Sequence, residues 1–305
     1  MFFTTPLKRK RRWFIYKSLS LLSVIRGYNV LVIIIAQYLT STFILSETNS
    51  LKDVVLDYEL LCIVLAGAIS IASGYIINNF YDSEKDLINR PHKSKLDRLV
   101  SQQKKMVIYF IFNFVAVIIA SYVSFRAVLF FSIYIFGIWF YSHKLKKIPL
   151  IGNLSATILA IMPFFAIFVY YRNFENVVFV HALFLFLVIF MREMVKDLEN
   201  IKGDIASGYN TIPIIYGEKT SKIILFAISI ACISTAIILI KLFPLGHMNY
   251  FFWFVIVALL LFIFLVYNAI QKKEYMILHN ILKLIIILGV LNIPLINPSI
   301  FTKIL

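Results

Sequence analysis

The chain has 305 residues, of which 61% are hydrophobic and only 15% charged, and its mean hydropathy of +0.88 lies far above that of a soluble globular domain. That composition excludes a water-soluble fold and points to an integral membrane protein. The formal net charge of +15 would suggest nucleic acid in a soluble protein, but here its placement along the chain assigns it to topology, and no nucleic-acid partner is expected.

In chain order, the basic run KRKRRW at 8–13 is followed by a first apolar span over 19–45. This run is longer than the core of a secretory signal and has no small-residue cleavage site, so it reads as a transmembrane helix with a cytoplasmic basic collar. Further spans are expected over 54–79, 106–121, 127–141, 149–170, 177–194, 222–240, 250–269 and 279–296. Each approaches the ~20 apolar residues that cross a bilayer. The third and fourth are parted only by SYVSFR, but a fused helix would be too long for the membrane even when tilted. The expected fold is an all-α bundle of nine transmembrane helices, forming a single membrane-embedded domain over 1–305.

Charge placement supports this division. Outside the spans, 23 Lys and Arg residues fall in alternate segments and only five, Lys52, Arg126, Arg172, Lys241 and Lys303, fall between them; Arg26 and Lys283 lie inside spans. The positive-inside rule then puts the N-terminus in the cytoplasm and the C-terminus outside, as in a multi-pass protein of the cytoplasmic (inner) membrane. Without the break at SYVSFR, every later loop would change sides. Cys62 and Cys232 both fall in spans and read as packing residues rather than a disulfide or metal site.

Two segments stand out by length, 80–105 and 192–222. They hold or border nine of the 15 acidic residues, and topology puts both on the cytoplasmic face. In NNFYDSEKD, residues Asn78, Asp82 and Asp86 recur every four positions and share one helical face. In REMVKDLENIKGD, Asp197, Asn200 and Asp204 share a face in the same way. Like charges at that spacing repel; a bound cation reverses the sign. Hard oxygen ligands without His or Cys favour Mg²⁺, which takes few carboxylates and completes its shell with water and phosphate oxygens. Arg90, Lys93, Lys95, Arg98, Lys196 and Lys202 lie around them. Carboxylates holding Mg²⁺ beside cations suit a diphosphate, whose departure the metal eases by neutralising developing charge. An apolar bundle beneath could hold a long isoprenoid tail, and its aromatic faces could stabilise an allylic cation by about 0.5–2 kcal/mol each.

These stretches resemble the UbiA-type membrane prenyltransferases. NNFYDSEKDLINRP is similar to that family's first motif and REMVKDLENIKGDIASGYNTIPIIYG to its second; YSHKLKKIPLIGN resembles the linker after its fourth helix, and IRGYN carries the Arg and Asn of its first. The resemblance implies Mg²⁺-dependent transfer of a prenyl group from a prenyl diphosphate to a lipophilic acceptor within the lipid bilayer, at a site facing the cytoplasm. It implies that Asn78, Asp82, Asp86, Asp197, Asn200 and Asp204 hold Mg²⁺ and diphosphate. It places Arg26, Arg90 and Lys146 on phosphate, Asn29 and Lys196 beside the substrate, and Tyr141 near the reacting carbon. No obligate protein partner is evident.

The sequence departs from the family pattern at Asn79 and Asn200, where Asp is usual, and in HKSKLDRLVSQQ, which replaces a Pro- and Gly-containing run. The wording of the second motif looks most like members that alkylate geranylgeranylglyceryl phosphate to make ether lipids; prenylation of an aromatic quinone precursor, dihydroxynaphthoate or 4-hydroxybenzoate, is the alternative. A transporter is the rival from another class, but transporters place ionisable groups at the midplane on broken helices, and here the acids cluster at helix ends. A lipid phosphotransferase would need an Asp-Gly opening and a Gly before paired aspartates, which the chain lacks.

Overall fold

The computed structural model describes residues 6–46 and 51–297, with side chains from residue 15. The basic side chains at 8–12 and Lys303 therefore lie outside the described residues. Nine described helices are long and apolar enough to cross a membrane: Gly27–Leu45, Tyr58–Tyr81, Gln102–Ser121, Phe125–Lys147, Ile151–Tyr171, Asn176–Ala206, Ile212–Leu242, Gly246–Asn268 and Lys272–Ile296. With their many exposed large side chains, such as Phe114, Phe125 and Phe264, they make the chain an all-α multi-pass membrane protein.

Helix α1 (Pro6–Val24) stops before the first span. The expected continuous helix over 19–45 is broken, because Arg26 adopts a left-handed backbone (φ 50°), a conformation costly inside a helix for any residue but Gly. Helix α2 (Gly27–Thr40) then runs on through a wider turn, Ser41–Leu45. Arg26 is thus a junction residue rather than one within a span. A short α3 (Leu51–Leu56) precedes α4 (Tyr58–Tyr81), whose start is capped by the Asp57 carboxylate accepting from the Leu60 amide at 3.0 Å.

Helix α4 is the central post. Its apolar window is 67% buried, while no other span exceeds 33%. Ala66, Gly67, Ala68, Ala72 and Gly74 let neighbours approach; a Cβ on Gly74 would meet Ile138 Cγ2 at 2.8 Å.

After α4 come two short helices, α5 (Ser83–Asn89) and α6 (Pro91–Asp97), so 80–105 is largely helical rather than an open loop. Helices α7 (Gln102–Ser121) and α8 (Phe125–His143) are separate, as SYVSFR predicts, and the Ser124 hydroxyl accepts from the Ala127 amide at 3.1 Å to start the second. In α9 (Ile151–Tyr171), Pro163 removes one backbone donor. The Tyr134 hydroxyl donates to the Leu159 carbonyl at 3.1 Å, and Gln37 Nε2 donates to the Pro163 carbonyl at 2.9 Å. These bonds satisfy backbone that hydrocarbon could not.

The second acidic segment also differs from expectation. Helix α10 (Asn176–Ala206) continues without a break for 31 residues, about 46 Å at 1.5 Å per residue. Its last turns outrun an apolar layer of about 30 Å and carry the acidic motif. Helices α11 (Ile212–Leu242), α12 (Asn249–Asn268) and α13 (Lys272–Asn292) follow.

Two buried cores result. One joins α4, α7, α8 and α9 around Ile76, Phe131 and Ile167; the other joins α10 to α13 around Met191, Phe252 and Leu282. Between them lies a cavity of about 630 Å³, walled by α2, α4, α8, α9, α10 and α13.

Candidate active site

The first acidic motif keeps its helical phase across the end of α4. The Asp82, Asp86 and Arg90 amides each donate to the carbonyl four residues back, to Asn78 at 2.9 Å, Asp82 at 2.8 Å and Asp86 at 2.8 Å. Asn78, Asp82 and Asp86 consequently line one polar pocket. The last third of α10 supplies the opposite wall with Asp197 and Asn200. Segments more than a hundred residues apart are brought face to face.

Asp204 is placed differently from its partners. It is fully buried and does not line the pocket, because Lys85 Nζ covers it in an ion pair. Lys85 lies 4.3 Å from the centre of the Tyr209 ring, and the Tyr209 hydroxyl donates to Asp82 Oδ1 at 2.8 Å. Lys146 Nζ donates to the same Asp82 oxygen at 2.7 Å and to Asn78 Oδ1 at 3.2 Å. Asn153 Nδ2 donates to Asp197 at 2.7 Å, while Lys196 pairs with Glu193 at 2.6 Å and Arg90 with Glu199 at 3.2 Å.

Arg26, Arg90, Lys146 and Lys196 all line this pocket. Asn29 does not: it lies in the large apolar cavity, where its Nδ2 donates to the Tyr75 hydroxyl at 3.3 Å. Tyr141 lines both spaces, as do Arg26, Asn78, Glu193 and Lys196. It stands where polar pocket meets apolar cavity.

Electrostatics separates the two carboxylates of the first motif. Burial pushes the Asp82 carboxyl up, but Lys146 and Lys85 beside it, with the Lys146 and Tyr209 hydrogen bonds, hold it below the usual carboxylate range. Asp86 moves the other way, raised by burial and then by the Asp82 charge. Burial would lower the Lys85 ammonium, yet Asp82 and Asp204 keep it above its ordinary value. Burial and the Asp82 charge also raise the Tyr209 hydroxyl, which therefore stays a donor.

Among the described residues, no three His, Cys, Asp or Glu side chains form a ready-made metal cage. The donor set nevertheless fits Mg²⁺ completed by water and phosphate oxygens. All the oxygens are hard, and Asn200 Oδ1 and Asp204 Oδ2 are buried without a hydrogen-bond partner, a state that a bound cation relieves.

Asn79 faces away from the pocket. Its Nδ2 donates to Asp97 Oδ2 at 3.1 Å and its Oδ1 accepts from the buried Lys105 ammonium at 2.8 Å. Asp97 also accepts from Ser23 at 2.8 Å and Lys93 at 2.7 Å. This knot ties α1, α4, α6 and α7 together behind the site, so the amide at 79 withdraws no charge from the pocket. Lys93, Lys95 and Arg98 do not line the pocket either, and Lys202 is exposed.

Lys85, Asn153 and Tyr209 are site residues that sequence reasoning passed over. Asn153 and Tyr209 stand inside the two quoted motifs, as the last residue of YSHKLKKIPLIGN and within SGYNTIP. Lys85 follows Asp82 by three positions, a spacing that keeps it on the same side of the helix.

Comparison with known proteins gives consistent relatives. The UbiA prenyltransferase family profile matches residues 27–276. Digeranylgeranylglyceryl phosphate synthase of Methanobrevibacter smithii is 30% identical over 264 residues, 82% of this chain and 86% of that protein. The synthase of the same name from Thermococcus sibiricus is 32% identical over 222 residues, 72% and 76% of the two chains. Among solved structures, a UbiA homologue from Archaeoglobus fulgidus bound to GPP and Mg²⁺ superposes with a TM-score of 0.65 at 13% identity, over 90% of this chain and 99% of that one. A digeranylgeranylglyceryl phosphate synthase structure superposes with a TM-score of 0.62 at 21% identity, over 93% and 99%.

Proposed function

Because the chain belongs to the UbiA prenyltransferase family, we propose that it moves a geranylgeranyl group from its diphosphate onto the free hydroxyl of geranylgeranylglyceryl phosphate, forming an ether lipid. The acceptor is argued from the relatives, which are digeranylgeranylglyceryl phosphate synthases. The observation that carries the reaction is the junction at Tyr141. There a pocket of paired acids and cations opens on an apolar cavity of about 630 Å³, as an amphiphile with a diphosphate head and an isoprenoid tail requires.

In this reading Asn78, Asp82, Asp86, Asp197, Asn200 and Asp204 hold Mg²⁺, which when bound neutralises charge on the departing diphosphate. Lys146, Lys196, Arg90 and Arg26 bind its phosphate oxygens, and Asn153 orients Asp197. Lys85 leaves Asp204 as substrate enters. The bond between the allylic carbon and the diphosphate oxygen breaks, with its electron pair going to diphosphate. The Tyr141 ring faces the resulting positive charge. The acceptor hydroxyl oxygen then bonds to that carbon and its proton passes to the released diphosphate. The apolar walls keep out water that would otherwise take the cation.

The whole chain acts as one membrane-embedded domain in the cytoplasmic membrane. In this reading the pocket is on the cytoplasmic side, with the N-terminus there and the C-terminus opposite, a topology that the excess of Lys and Arg in alternate loops supports. The test is incubation of membranes containing the protein with labelled geranylgeranyl diphosphate, Mg²⁺ and, separately, geranylgeranylglyceryl phosphate, dihydroxynaphthoate and 4-hydroxybenzoate. Labelled ether lipid is the expected product. Turnover of an aromatic acceptor alone would overturn the acceptor assignment.

A further inference from the structure

The two spaces that meet at Tyr141 differ in how far their cations are offset. In the polar pocket, five cations stand among the four carboxylates of Asp82, Asp86, Glu193 and Asp197, so a diphosphate there needs a metal to offset the acids. The neighbouring cavity has a polar end with cations in surplus. Arg26, Arg192 and Lys283 line it, and among the described residues none has a carboxylate within ion-pair distance. The one acid that shares the cavity, Glu193, is already held by Lys196 at 2.6 Å.

Each of the three is arranged as if awaiting an anion. Arg192 Nε is buried with no hydrogen-bond partner, and such a group costs free energy until it is paired. Lys283 projects from α13 and, among the described residues, meets neutral groups, the Tyr28 hydroxyl at 3.3 Å and the face of the Tyr28 ring at 4.5 Å. The Arg26 guanidinium lies 5.1 Å from the centre of the Tyr75 ring. Arg192 and Lys283 lie on membrane helices, where a cation with no carboxylate in ion-pair contact is expensive and marks a ligand path. Tyr28 is 59% exposed, so the Lys283 end of the cavity reaches the molecular surface between α2 and α13.

We propose that Lys283, Arg192 and Arg26 form a second, metal-free anion subsite that takes the phosphate of the acceptor lipid. A phosphomonoester carries about −1.5 to −2 charge near neutral pH and offers three oxygens, enough for all three cations; an aromatic carboxylate carries one charge and is satisfied by a single Arg. The subsite rests on the reading that the acceptor bears a phosphate, and it adds how that phosphate is chosen. Arg26 lines both spaces, so an acceptor anchored here has its glycerol hydroxyl beside the junction at Tyr141. The diphosphate is held among carboxylates that need a metal and the acceptor phosphate beside Lys283 and Arg192 without one, with Arg26 at the boundary within reach of both spaces.

The test is equilibrium binding of labelled geranylgeranylglyceryl phosphate to the purified full chain in EDTA. The wild type is expected to bind without metal, and Lys283→Gln to weaken binding roughly tenfold or more, as loss of a charge-assisted contact does. Arg192→Gln should act in the same direction, and Lys283→Arg should restore affinity. Geranylgeranylglycerol, which lacks the phosphate, should bind wild type and Lys283→Gln alike. In turnover, the acceptor KM should rise in Lys283→Gln while the KM for geranylgeranyl diphosphate stays put, which also shows that the variant is folded. If the wild type alkylates the phosphate lipid but both Gln variants bind it undiminished in EDTA, the subsite is wrong and the proposed function stands. If the wild type neither binds nor alkylates that lipid, the acceptor reading fails and the subsite with it.

Discussion

Gly203 of α10 lies directly against Asn89 of α5: a Cβ on Gly203 would stand 2.6 Å from Asn89 Cγ. This is where the helix carrying the second acidic motif meets the helix carrying the first, and only a bare α-carbon lets them close. Gly203→Ala should push α5 from α10, widen the gap between Asp82 and Asp197, and lower transfer by an order of magnitude or more, in keeping with the cost of a 1 Å misplacement. Shortening the opposing side chain with Asn89→Ala should return part of the lost activity. Transfer assays on the two single variants and the double variant test it; equal loss in the double variant and in Gly203→Ala would refute the steric account.

Lys85 holds Asp204 and lies over Tyr209, so it neutralises the carboxylates that a metal would claim. Lys85→Met should leave Asp204 and Asp82 repelling each other and lower the thermal midpoint of the metal-free protein. Added Mg²⁺ should then raise that midpoint more in the variant than in the wild type. Melting curves with EDTA and with Mg²⁺ read both effects.

Asp86 follows from its raised carboxyl, pushed up first by burial and then by Asp82. A native pKa above the unfolded one means that the folded state loses stability as pH rises from the unfolded value through the native one, and carries the whole deficit at neutral pH. Asp86→Asn should therefore raise the melting midpoint of the metal-free protein at pH 7, with no gain below the carboxylate range, while transfer is lost. Asp82 has the opposite sign, since Lys146 and Lys85 hold it low against burial; its contribution is present above the unfolded pKa and disappears as pH falls through the native one.

Lys105 is 1% exposed and its ammonium is bound by Asn79. Asn79→Leu should strand that charge and destabilise the protein by about 2–3 kcal/mol, the cost of losing a hydrogen bond to a charged group. Urea or thermal unfolding of the variant in detergent measures this. A melting midpoint equal to wild type would show that the knot behind the site carries no load.

Much of this was legible in the sequence because the membrane imposes strong rules. Hydropathy and the alternation of Lys and Arg found nine spans, including the break at SYVSFR that Ser124 enforces by capping α8. Four-residue spacing put Asn78, Asp82 and Asp86 on one side, and the structure keeps that phase into α5. What was hidden depends on local backbone and packing. Nothing in IRGYN signals that Arg26 turns left-handed and cuts the first helix. Val195, Leu198, Ile201 and Ile205 continue at helical spacing past 194, but the charges between them end the apolar run and mask the extension of α10 to Ala206. The direction of Asn79, away from the pocket, is fixed by Lys105 and Asp97, partners 26 and 18 residues away. Lys85 and Tyr209 acquire meaning only when the two motifs meet.

The central claim is that Asp82 and Asp204, from separate segments, serve one Mg²⁺-dependent prenyl transfer. The most direct measurement is the rate of geranylgeranyl transfer from labelled geranylgeranyl diphosphate in membranes containing wild type, Asp82→Ala or Asp204→Ala at matched protein levels. The account predicts Mg²⁺-dependent product from the wild type and none from either variant, each still inserted and folded; undiminished transfer in either variant would contradict it.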